Sequence, residues 1–251
     1  NDEMSSKDEM TPQANQIPVW ITNRHEHSYK NGTNFRSGFN IASSYQRSTR
    51  NLINVSLDKS VNINNNRSLP SVMLVNARSL FKKSNELEIV AKMQEIDIVC
   101  ITETWLKDKI PNEAIDCLGM NLCRLDRTSG AGGGVAVFIN NTIPFKVRED
   151  LISKSYECIW ITIRPTWLPR EISRICISCV YLPPCETDVE GFYEYFYNCY
   201  DKLCMESPNS AFIVAGDFNP TSNGFQNRYL KTHCNFKQVV KKATRGNNIL
   251  D

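Results

Sequence analysis

The most informative ten residues of the chain are Ala211-Phe212-Ile213-Val214-Ala215-Gly216-Asp217-Phe218-Asn219-Pro220. The first five are apolar and partly β-branched, which predicts a short strand buried on both faces. Gly216 interrupts the apolar run, and Pro220, which lacks an N–H, ends it. An extended backbone points the side chains of Asp217 and Asn219 to one side. Because a carboxylate is costly to desolvate at the end of an apolar strand, the pair indicates either a partner or metal for Asp217 or a solvated turn.

Length and composition limit the class of protein. The chain has 251 residues, of which 41% are hydrophobic, so we expect one domain with a sizeable core and an additional segment. A net charge of +2 is too small to indicate nucleic-acid binding by itself. No apolar run approaches the length of a membrane span, so we expect no membrane partner. The chain starts at Asn1 rather than Met and ends after an apolar pair, which indicates a piece of a longer protein.

The ten cysteines are predicted to be reduced core residues of an intracellular protein. No signal peptide is visible, and several cysteines lie inside apolar runs that have the character of strands. Cys176 and Cys179 form a C-x-x-C pair, but no second pair or histidine follows at zinc spacing. A strand would also turn the two side chains to opposite faces, so we expect no zinc site there.

Residues 1–68 are predicted to be a disordered polar tail. They are rich in Asn, Ser, Thr and Gln and show no sustained periodicity, so they cannot bury enough apolar area to offset their ordering entropy. His25 and His27 fall in this segment, where a solvated loop is favoured over a metal site. Residues 69–251 are predicted to form the folded domain.

The pattern from residue 69 onward predicts strands and helices in an α/β or α+β order. Two apolar runs, 72–75 and 96–101, flank a segment of helical spacing that Ser84 can cap, which indicates a βαβ unit. Further strands are predicted at 135–139, 158–163, 172–180 and 211–215.

Two other segments of this domain have a structural interpretation. The glycine-rich run 130–134 precedes a strand rather than a helix, so it indicates a tight turn instead of a phosphate-binding loop. Thr187 and Glu190 have the spacing of a capping box and begin an amphipathic helix. Its aromatic stripe is most simply explained as core packed against a sheet.

Polar side chains stand at the ends of several predicted strands. They are Asn76, Glu103, Tyr181, Asp217, Asn219 and, at the end of the chain, Asp251. Ligand sites of α/β sheets collect at strand ends, so these side chains would line one cleft if the strands pack side by side. Oxygen ligands with scarcely any histidine indicate a hard cation, Mg²⁺ or Mn²⁺. A hard cation beside carboxylates suits phosphate-ester hydrolysis, in which a carboxylate orients or deprotonates water.

The segment 221–250 supports a polyanionic substrate. It contains six basic residues and no acidic one. Such a segment would raise the local affinity for a polyanion such as DNA, although a solvated basic surface has the same composition. Arg78, two residues after Asn76, is also predicted to bind substrate.

Six segments in this order resemble the endonuclease/exonuclease/phosphatase family. They are Leu-Val-Asn76-Ala-Arg-Ser, Ile-Thr-Glu103-Thr-Trp-Leu, Gly-Gly-Gly-Val-Ala-Val-Phe, Val-Tyr181-Leu-Pro-Pro, Gly-Asp217-Phe-Asn219 and Thr244-Arg-Gly-Asn-Asn-Ile-Leu-Asp251. More narrowly, residues 69–251 are similar to the apurinic-type endonuclease domain of LINE-type (non-LTR) retrotransposon polyproteins. The resemblance implies a four-layer sandwich of two mostly antiparallel β-sheets flanked by helices, C-terminally truncated in this chain.

The resemblance also implies a role for each matched residue. Glu103 would be a metal ligand, with Asn76 beside it in the metal and phosphate pocket. Tyr181 would contact the scissile phosphate. Asp217 and Asn219 would position the attacking water, with Asp217 as the candidate base.

Two further matches lie near the end of the chain. Thr244 resembles a substrate-binding residue, and Asp251 matches the family aspartate that orients a catalytic histidine. That histidine belongs to a Ser-Asp-His motif, which the family carries downstream of this point. His233 lies in the wrong motif to replace it.

The resemblance implies a Mg²⁺-dependent endonuclease that nicks target DNA to prime reverse transcription during retrotransposition. The expected partners are DNA and a reverse transcriptase domain in the same polyprotein, and the expected location is intracellular, in the nucleus when the protein acts on DNA. Two alternatives stay open. One is an inactive DNA-binding remnant of a decayed retroelement, and the other is a family relative that hydrolyses a different phosphoester.

Overall fold

The computed structural model describes residues 19–23, 69–184, 186–219 and 225–239. Within these ranges the chain forms strands, three α-helices and two short 3₁₀ helices (Asn112–Ile115 and Glu149–Leu151). The strands are β1 (Val19–Asn23), β2 (Val72–Asn76), β3 (Ile98–Thr102), β4 (Met120–Leu125), β5 (Val135–Asn140), β6 (Phe145–Val147), β7 (Glu157–Ile163), β8 (Ile175–Tyr181), β9 (Ala211–Asp217) and β10 (Lys237–Gln238). The α-helices are α1 (Ser84–Met93), α2 (Val189–Glu206) and α3 (Phe225–Cys234).

The smaller sheet has the strand order β2-β3-β5-β4. Strands β2 and β3 are parallel, with Asn76 opposite Thr102, and α1 connects them. The other two pairs of this sheet are antiparallel. The predicted βαβ unit is therefore confirmed, and it places the ends of β2 and β3 side by side.

The larger sheet has the strand order β10-β1-β9-β8-β7-β6. Its single parallel pair is β8 with β9, which α2 connects, and Tyr181 lies opposite Asp217 at the end of that pair. The remaining pairs are antiparallel, so both sheets are mostly antiparallel, as predicted. Strand β8 begins at Ile175, later than the predicted start at Ile172, because the backbone of 164–174 turns before it enters the sheet.

Three apolar clusters define four layers. The central cluster joins the facing sides of the two sheets, with Val137 and Cys100 from the smaller sheet and Ile161 and Ile177 from the larger one. A second cluster packs α2 and α3 against the outer face of the larger sheet. A third packs α1 against the outer face of the smaller sheet. The order helix, sheet, sheet, helix confirms the predicted sandwich.

The side chains of α2 confirm the interpretation of its aromatic stripe. Phe192, Phe196 and Tyr200 are buried in the cluster that covers the larger sheet, where Phe196 packs on Trp160 at a ring-centroid distance of 5.0 Å. The predicted capping box is displaced by one residue, since Asp188 is the N-cap and its Oδ1 accepts the Gly191 N–H at 3.1 Å.

The start of α1 also differs from the prediction. Lys83 occupies the N-cap without a side-chain cap, so Ser84 is the first helical residue rather than the cap. None of the described helices is both long and apolar enough to cross a membrane.

The cysteine pair of β8 lies as the alternation of a strand predicts. Cys179 packs in the core between the sheets, whereas Cys176 lies on the opposite face under α2. The described cysteines are free thiols in buried positions. Burial raises the pKa of Cys123 to about 11, so this thiol is neutral and acts as a small apolar group.

Strand β1 corrects one part of the sequence analysis. Val19–Asn23 falls inside the segment 1–68 that was predicted to be disordered, yet it pairs antiparallel with β9 over all five residues. Backbone hydrogen bonds to the edge of β9 stabilise this segment, which is rich in β-branched residues, as a strand. The periodicity of one short segment does not reveal a partner so far along the chain. The other residues of 1–68 lie outside the described ranges.

Candidate functional site

The candidate site lies where the two parallel strand pairs end. Asn76 ends β2 in one sheet and Asp217 ends β9 in the other. The Asn76 side-chain Nδ2 donates to Asp217 Oδ2 at 2.9 Å and to Glu103 Oε1 at 2.7 Å. One amide group therefore binds carboxylates from two sheets, which fixes the distance between those sheets at this end of the sandwich.

The site holds negative charge at low exposure. Asn76 is 5% exposed and Asp217 is 6% exposed, while Glu103, one residue beyond β3, is half-buried. Within the described ranges Glu103 forms no ion pair. Two carboxylates that share one neutral donor repel each other, and a cation between them would relieve that repulsion.

The donor set fits a hard divalent cation. Carboxylate oxygens are ligands that Mg²⁺ and Mn²⁺ prefer, and neither histidine nor cysteine is among the residues described at this position. Asn76 directs its Nδ2 donor at the carboxylates and its Oδ1 at the Arg78 N–H, so Glu103 and Asp217 supply the ligand oxygens. In the part of the chain that the structure describes, no three His, Cys, Asp or Glu side chains converge. A cation here would therefore complete its coordination with water and substrate oxygens, as Mg²⁺ usually does.

Tyr181 faces the same carboxylates from β8. It is 7% exposed, and burial raises the pKa of its hydroxyl, with the charges of Glu103 and Asp217 adding to the effect. The phenol is consequently protonated at neutral pH and available as a hydrogen-bond donor. Such a donor can bind a phosphate oxygen beside the carboxylates.

Asn219 fixes the other oxygen of Asp217. Its backbone N–H donates to Asp217 Oδ1 at 3.2 Å, and its side-chain Nδ2 donates to the Leu182 carbonyl at 2.9 Å. The turn that the sequence suggested as an alternative is thus present, and it orients the carboxylate rather than exposing it to solvent. Because Asn76 holds Oδ2 and Asn219 holds Oδ1, the carboxylate plane has a defined direction.

Backbone strain is concentrated around these side chains. Seven non-glycine residues of the described ranges have positive φ, and five of them follow β2, β3 or β9. The five are Arg78 (φ 42°), Ser79 (82°), Glu103 (52°), Trp105 (55°) and Asn219 (44°). Strained conformations persist only where the surrounding structure imposes them, and they cluster at functional sites.

Arg78 lies at the exposed rim of the site. Its backbone N–H donates to Asn76 Oδ1 at 3.3 Å, which orients the amide of Asn76 toward the two carboxylates. Lys83 Nζ binds the carbonyls of Ala77 at 2.5 Å and Arg78 at 3.3 Å, and burial lowers the pKa of this ammonium group. The exposed position of Arg78 is compatible with its predicted contact with substrate.

The match to a family model covers most of this fold. The model of the Endonuclease/Exonuclease/phosphatase family matches residues 60–232. The chain belongs to this family. The fold is therefore that of a family of nucleases and phosphatases, and the match includes β2 to β9 with every site residue described above.

Three solved structures are similar to the chain at low sequence identity. The endonuclease domain of TRAS1, a telomere-specific non-LTR retrotransposon, is 15% identical, with a TM-score of 0.46 over 63% of this chain and 68% of that domain. The human Nocturnin catalytic domain is 16% identical, with a TM-score of 0.47 over 64% of this chain and 68% of that one. An AP endonuclease from Archaeoglobus fulgidus is 18% identical, with a TM-score of 0.38 over 64% and 63%. No curated protein matches the chain.

This family member has a second set of site residues that the sequence analysis missed. Glu157, at the start of β7, lies opposite Tyr181 and accepts hydrogen bonds from Arg127 Nε and from the Gly134 N–H. The Arg127 guanidinium lies 5.7 Å from the centre of the Tyr181 ring. A glycine-rich run beside an arginine was visible in the sequence, but only the strand register brings both to Tyr181.

Two predicted site residues and half of the segment 221–250 fall outside the described ranges. Thr244 and Asp251 lie outside the described residues. Lys231 and Lys237 are exposed, in agreement with a basic surface. His233 lies on α3 with its ring 6.3 Å from that of Tyr197 on α2, on the helical layer of the larger sheet.

Proposed function

We propose that this chain is the catalytic domain of a divalent-metal-dependent endonuclease that nicks DNA for a non-LTR retrotransposon. The observation that carries the proposal is the shared amide of Asn76, which holds Glu103 and Asp217 together at the ends of two sheets. Burying a carboxylate is costly, and these two lie close together where a divalent cation would compensate their charge and attract the phosphodiester anion.

Each residue has a chemical task in this proposal. Glu103 would hold Mg²⁺ or Mn²⁺, with Asn76 beside it in the metal and phosphate pocket, and the cation would stabilise charge on the phosphoryl oxygen and the leaving alkoxide. Asp217, fixed by Asn76 and Asn219, accepts a proton from the attacking water. Tyr181 donates its hydroxyl to a non-bridging oxygen of the phosphate. Arg78 at the rim, together with Thr244, would bind the DNA backbone, and Asp251 would orient an acid–base histidine.

DNA as the substrate is supported by charge. The segment 221–250 has basic and no acidic residues, and Lys231 and Lys237 within it are exposed. Such a segment next to a carboxylate site would bind the backbone of a polyanion in a salt-dependent manner. The proposed partners are accordingly DNA and a reverse transcriptase domain of the same polyprotein, with the nucleus as the place of action.

A plasmid-nicking assay tests the proposal. The protein in its natural reading frame is incubated with supercoiled plasmid in Mg²⁺ or in EDTA, and the open circular product is measured. We expect nicking in Mg²⁺ alone, and we expect Glu103→Gln and Asp217→Asn each to lower the rate about 10²- to 10⁴-fold. Asp201→Asn is the control, because Asp201 lies toward the C-terminal end of α2, away from the site. This substitution should leave the nicking rate unchanged.

The outcomes separate the alternatives. If Glu103→Gln and Asp217→Asn nick as fast as the parent, the site assignment is wrong. Salt-dependent DNA binding without nicking in Mg²⁺ would instead favour a DNA-binding remnant. Hydrolysis of an inositol phosphate in preference to DNA would favour a relative with another phosphoester substrate.

A further inference from the structure

Trp105 is a large aromatic side chain held at the surface beside Glu103. It is 44% exposed, whereas its neighbours Thr104 and Leu106 are almost fully buried. Its φ of 55° lies in the left-handed region, which a bulky side chain rarely adopts. The local backbone therefore turns this one side chain outward while it keeps both neighbours in the core.

The glycine-rich turn holds the backbone of Trp105 in this conformation. The Trp105 N–H donates to the Gly133 carbonyl at 2.9 Å, and the Thr104 N–H donates to the Gly134 carbonyl at 3.2 Å. A Cβ atom at Gly132 would lie 3.4 Å from Trp105 Nε1, so the indole rests against the bare backbone of that glycine. The turn leaves room for the indole edge and supports it from one side.

An arginine clamp makes this turn rigid. Arg127 binds Glu157 through Nε and the Ala131 carbonyl through its terminal nitrogen at 3.1 Å. A side chain at Gly133 would overlap the Arg127 guanidinium, so the glycine is required for the clamp to close. Lys107 Nζ adds hydrogen bonds to the Arg127 and Gly130 carbonyls at 3.0 Å each. The turn is thus fixed to β7 next to Tyr181.

We propose that Trp105 contacts the substrate directly, by stacking its indole on a nucleobase beside the phosphodiester to be cut. This inference rests on the proposed DNA endonuclease function. An exposed, rigidly supported aromatic side chain two residues from Glu103 is placed to meet a nucleotide whose phosphate reaches the carboxylates. Every nucleobase has a π-face, so stacking would favour DNA with an unpaired or unstacked base over regular duplex DNA.

Binding without cleavage tests this inference. Binding of the protein to a fluorescein-labelled single-stranded oligonucleotide, and to a duplex with one unpaired base, is measured by anisotropy in EDTA. We expect Trp105→Ala to weaken binding to both by about 5- to 150-fold, as the loss of one base–aromatic stack does elsewhere. Trp105→Phe should retain most of the affinity, because the smaller ring can still stack.

Trp167 offers a matched control. It is 38% exposed, similar to Trp105, but it lies in the turn between β7 and β8 at the end of the sheet away from Tyr181. Trp167→Ala should therefore bind both oligonucleotides as the parent does. The position of the stacked base can be found with a series of oligonucleotides that carry the fluorescent base 2-aminopurine at successive positions. The parent protein should quench the fluorescence of 2-aminopurine at one position, and Trp105→Ala should not.

A glycine variant separates a role in binding from a role in folding. Because glycine adopts positive φ without strain, Trp105→Gly should melt at or above the temperature of Trp105→Ala while it binds as weakly. If Trp105→Ala and Trp105→Gly bind like the parent, the inference is overturned, and metal-dependent nicking of plasmid by the parent would still stand. If the parent binds neither oligonucleotide, both the stacking role of Trp105 and the proposal that DNA is the substrate are wrong.

Discussion

The two ends of the parallel pair β2–β3 each carry a half-buried acid, and the two acids have different hydrogen-bond partners. At the starting end Asp97 precedes β3, and its Oδ2 accepts the Ser71 N–H at 2.8 Å. The Asp97 N–H donates in return to Ser71 Oγ at 2.9 Å, so the two residues satisfy each other. At the other end Glu103 and Asp217 share the single amide nitrogen of Asn76.

The difference shows which acid is structural. Asp97 is one carboxylate with backbone and hydroxyl donors directed at it, which is how a folded protein stabilises a buried charge. Glu103 and Asp217 are two carboxylates that share the Asn76 amide, although Asp217 also accepts the Asn219 N–H, and the backbone around them is strained. We infer that the end of the pair that carries Glu103 is organised for function at some cost in stability, and that the end that carries Asp97 is organised for stability.

The largest expected effect comes from Asn76→Ala. Removal of the amide frees Glu103 and Asp217 from their common donor, so their geometry relative to a phosphate is lost. We expect the nicking rate to fall about 10²- to 10³-fold, the loss found when one preorganised donor is removed from an active site. The measurement is single-turnover nicking at saturating protein across a range of Mg²⁺ concentrations.

Asn121→Ala is the control for this variant, because Asn121 is an exposed asparagine on β4. A nicking rate for Asn76→Ala equal to that of Asn121→Ala would contradict the view that the shared amide organises the site.

A smaller effect is expected from Arg127→Gln. The variant loses the pair with Glu157 and the contact over the Tyr181 ring, so the glycine-rich turn and the phenol can shift. We expect kcat to fall about 10- to 100-fold with a smaller change in KM, since a displacement of about 1 Å can cost as much. The measurement is steady-state cleavage of a fluorescent oligonucleotide duplex.

Arg124, which lies on β4 shortly before Arg127, allows a matched comparison. It also pairs with a carboxylate, Asp126, and binds loop carbonyls at Lys107 and Ile110, but it does not belong to the set around Tyr181. Arg124→Gln should lower the melting temperature and leave kcat near that of the parent. Equal losses of kcat in the two arginine variants would show that Arg127 supports the fold and not the site.

The sequence was sufficient to predict which polar side chains lie together in the candidate site, because these residues follow strands, and their roles in catalysis stay predictions. Buried strands are recognisable in the sequence as apolar runs. A polar residue at the end of such a run, such as Glu103 or Asp217, marks where the strand ends. Parallel pairing places Asn76 beside the end of β3 and Tyr181 beside Asp217. The contact of Glu103 and Asp217 through Asn76 depends in addition on the packing of the two sheets. The layer order followed from the resemblance, and the three apolar clusters confirm it.

What could not be predicted depends on register and on distant partners. Glu157 begins an apolar strand and has no local feature that marks it, and only its pairing opposite Tyr181 gives it a position in the site. Strand β1 depends on pairing with the edge of β9, which lies far along the chain from it. The cap of α2 was displaced to Asp188 because Thr187 and Asp188 are both good N-cap residues, and local sequence does not choose between them.

The smallest expected effect comes from substitutions of Asp97, at the end of the β2–β3 pair where β3 begins. Asp97→Ala removes the acceptor of the Ser71 N–H, and Ser71 is 6% exposed, so water reaches that donor poorly. We expect the free energy of unfolding in urea to fall by about 1–3 kcal/mol, the usual cost of an unsatisfied buried donor. Asp97→Asn keeps an acceptor oxygen in place and should lose less, about 1 kcal/mol. Both variants should nick plasmid at the parental rate, because the ladders of β3 with β2 and β5 hold the strand that leads to Glu103, and Asp97 precedes that strand. A nicking defect in Asp97→Asn at full stability would mean that the two ends are coupled, and the division between a structural and a functional acid would then fail.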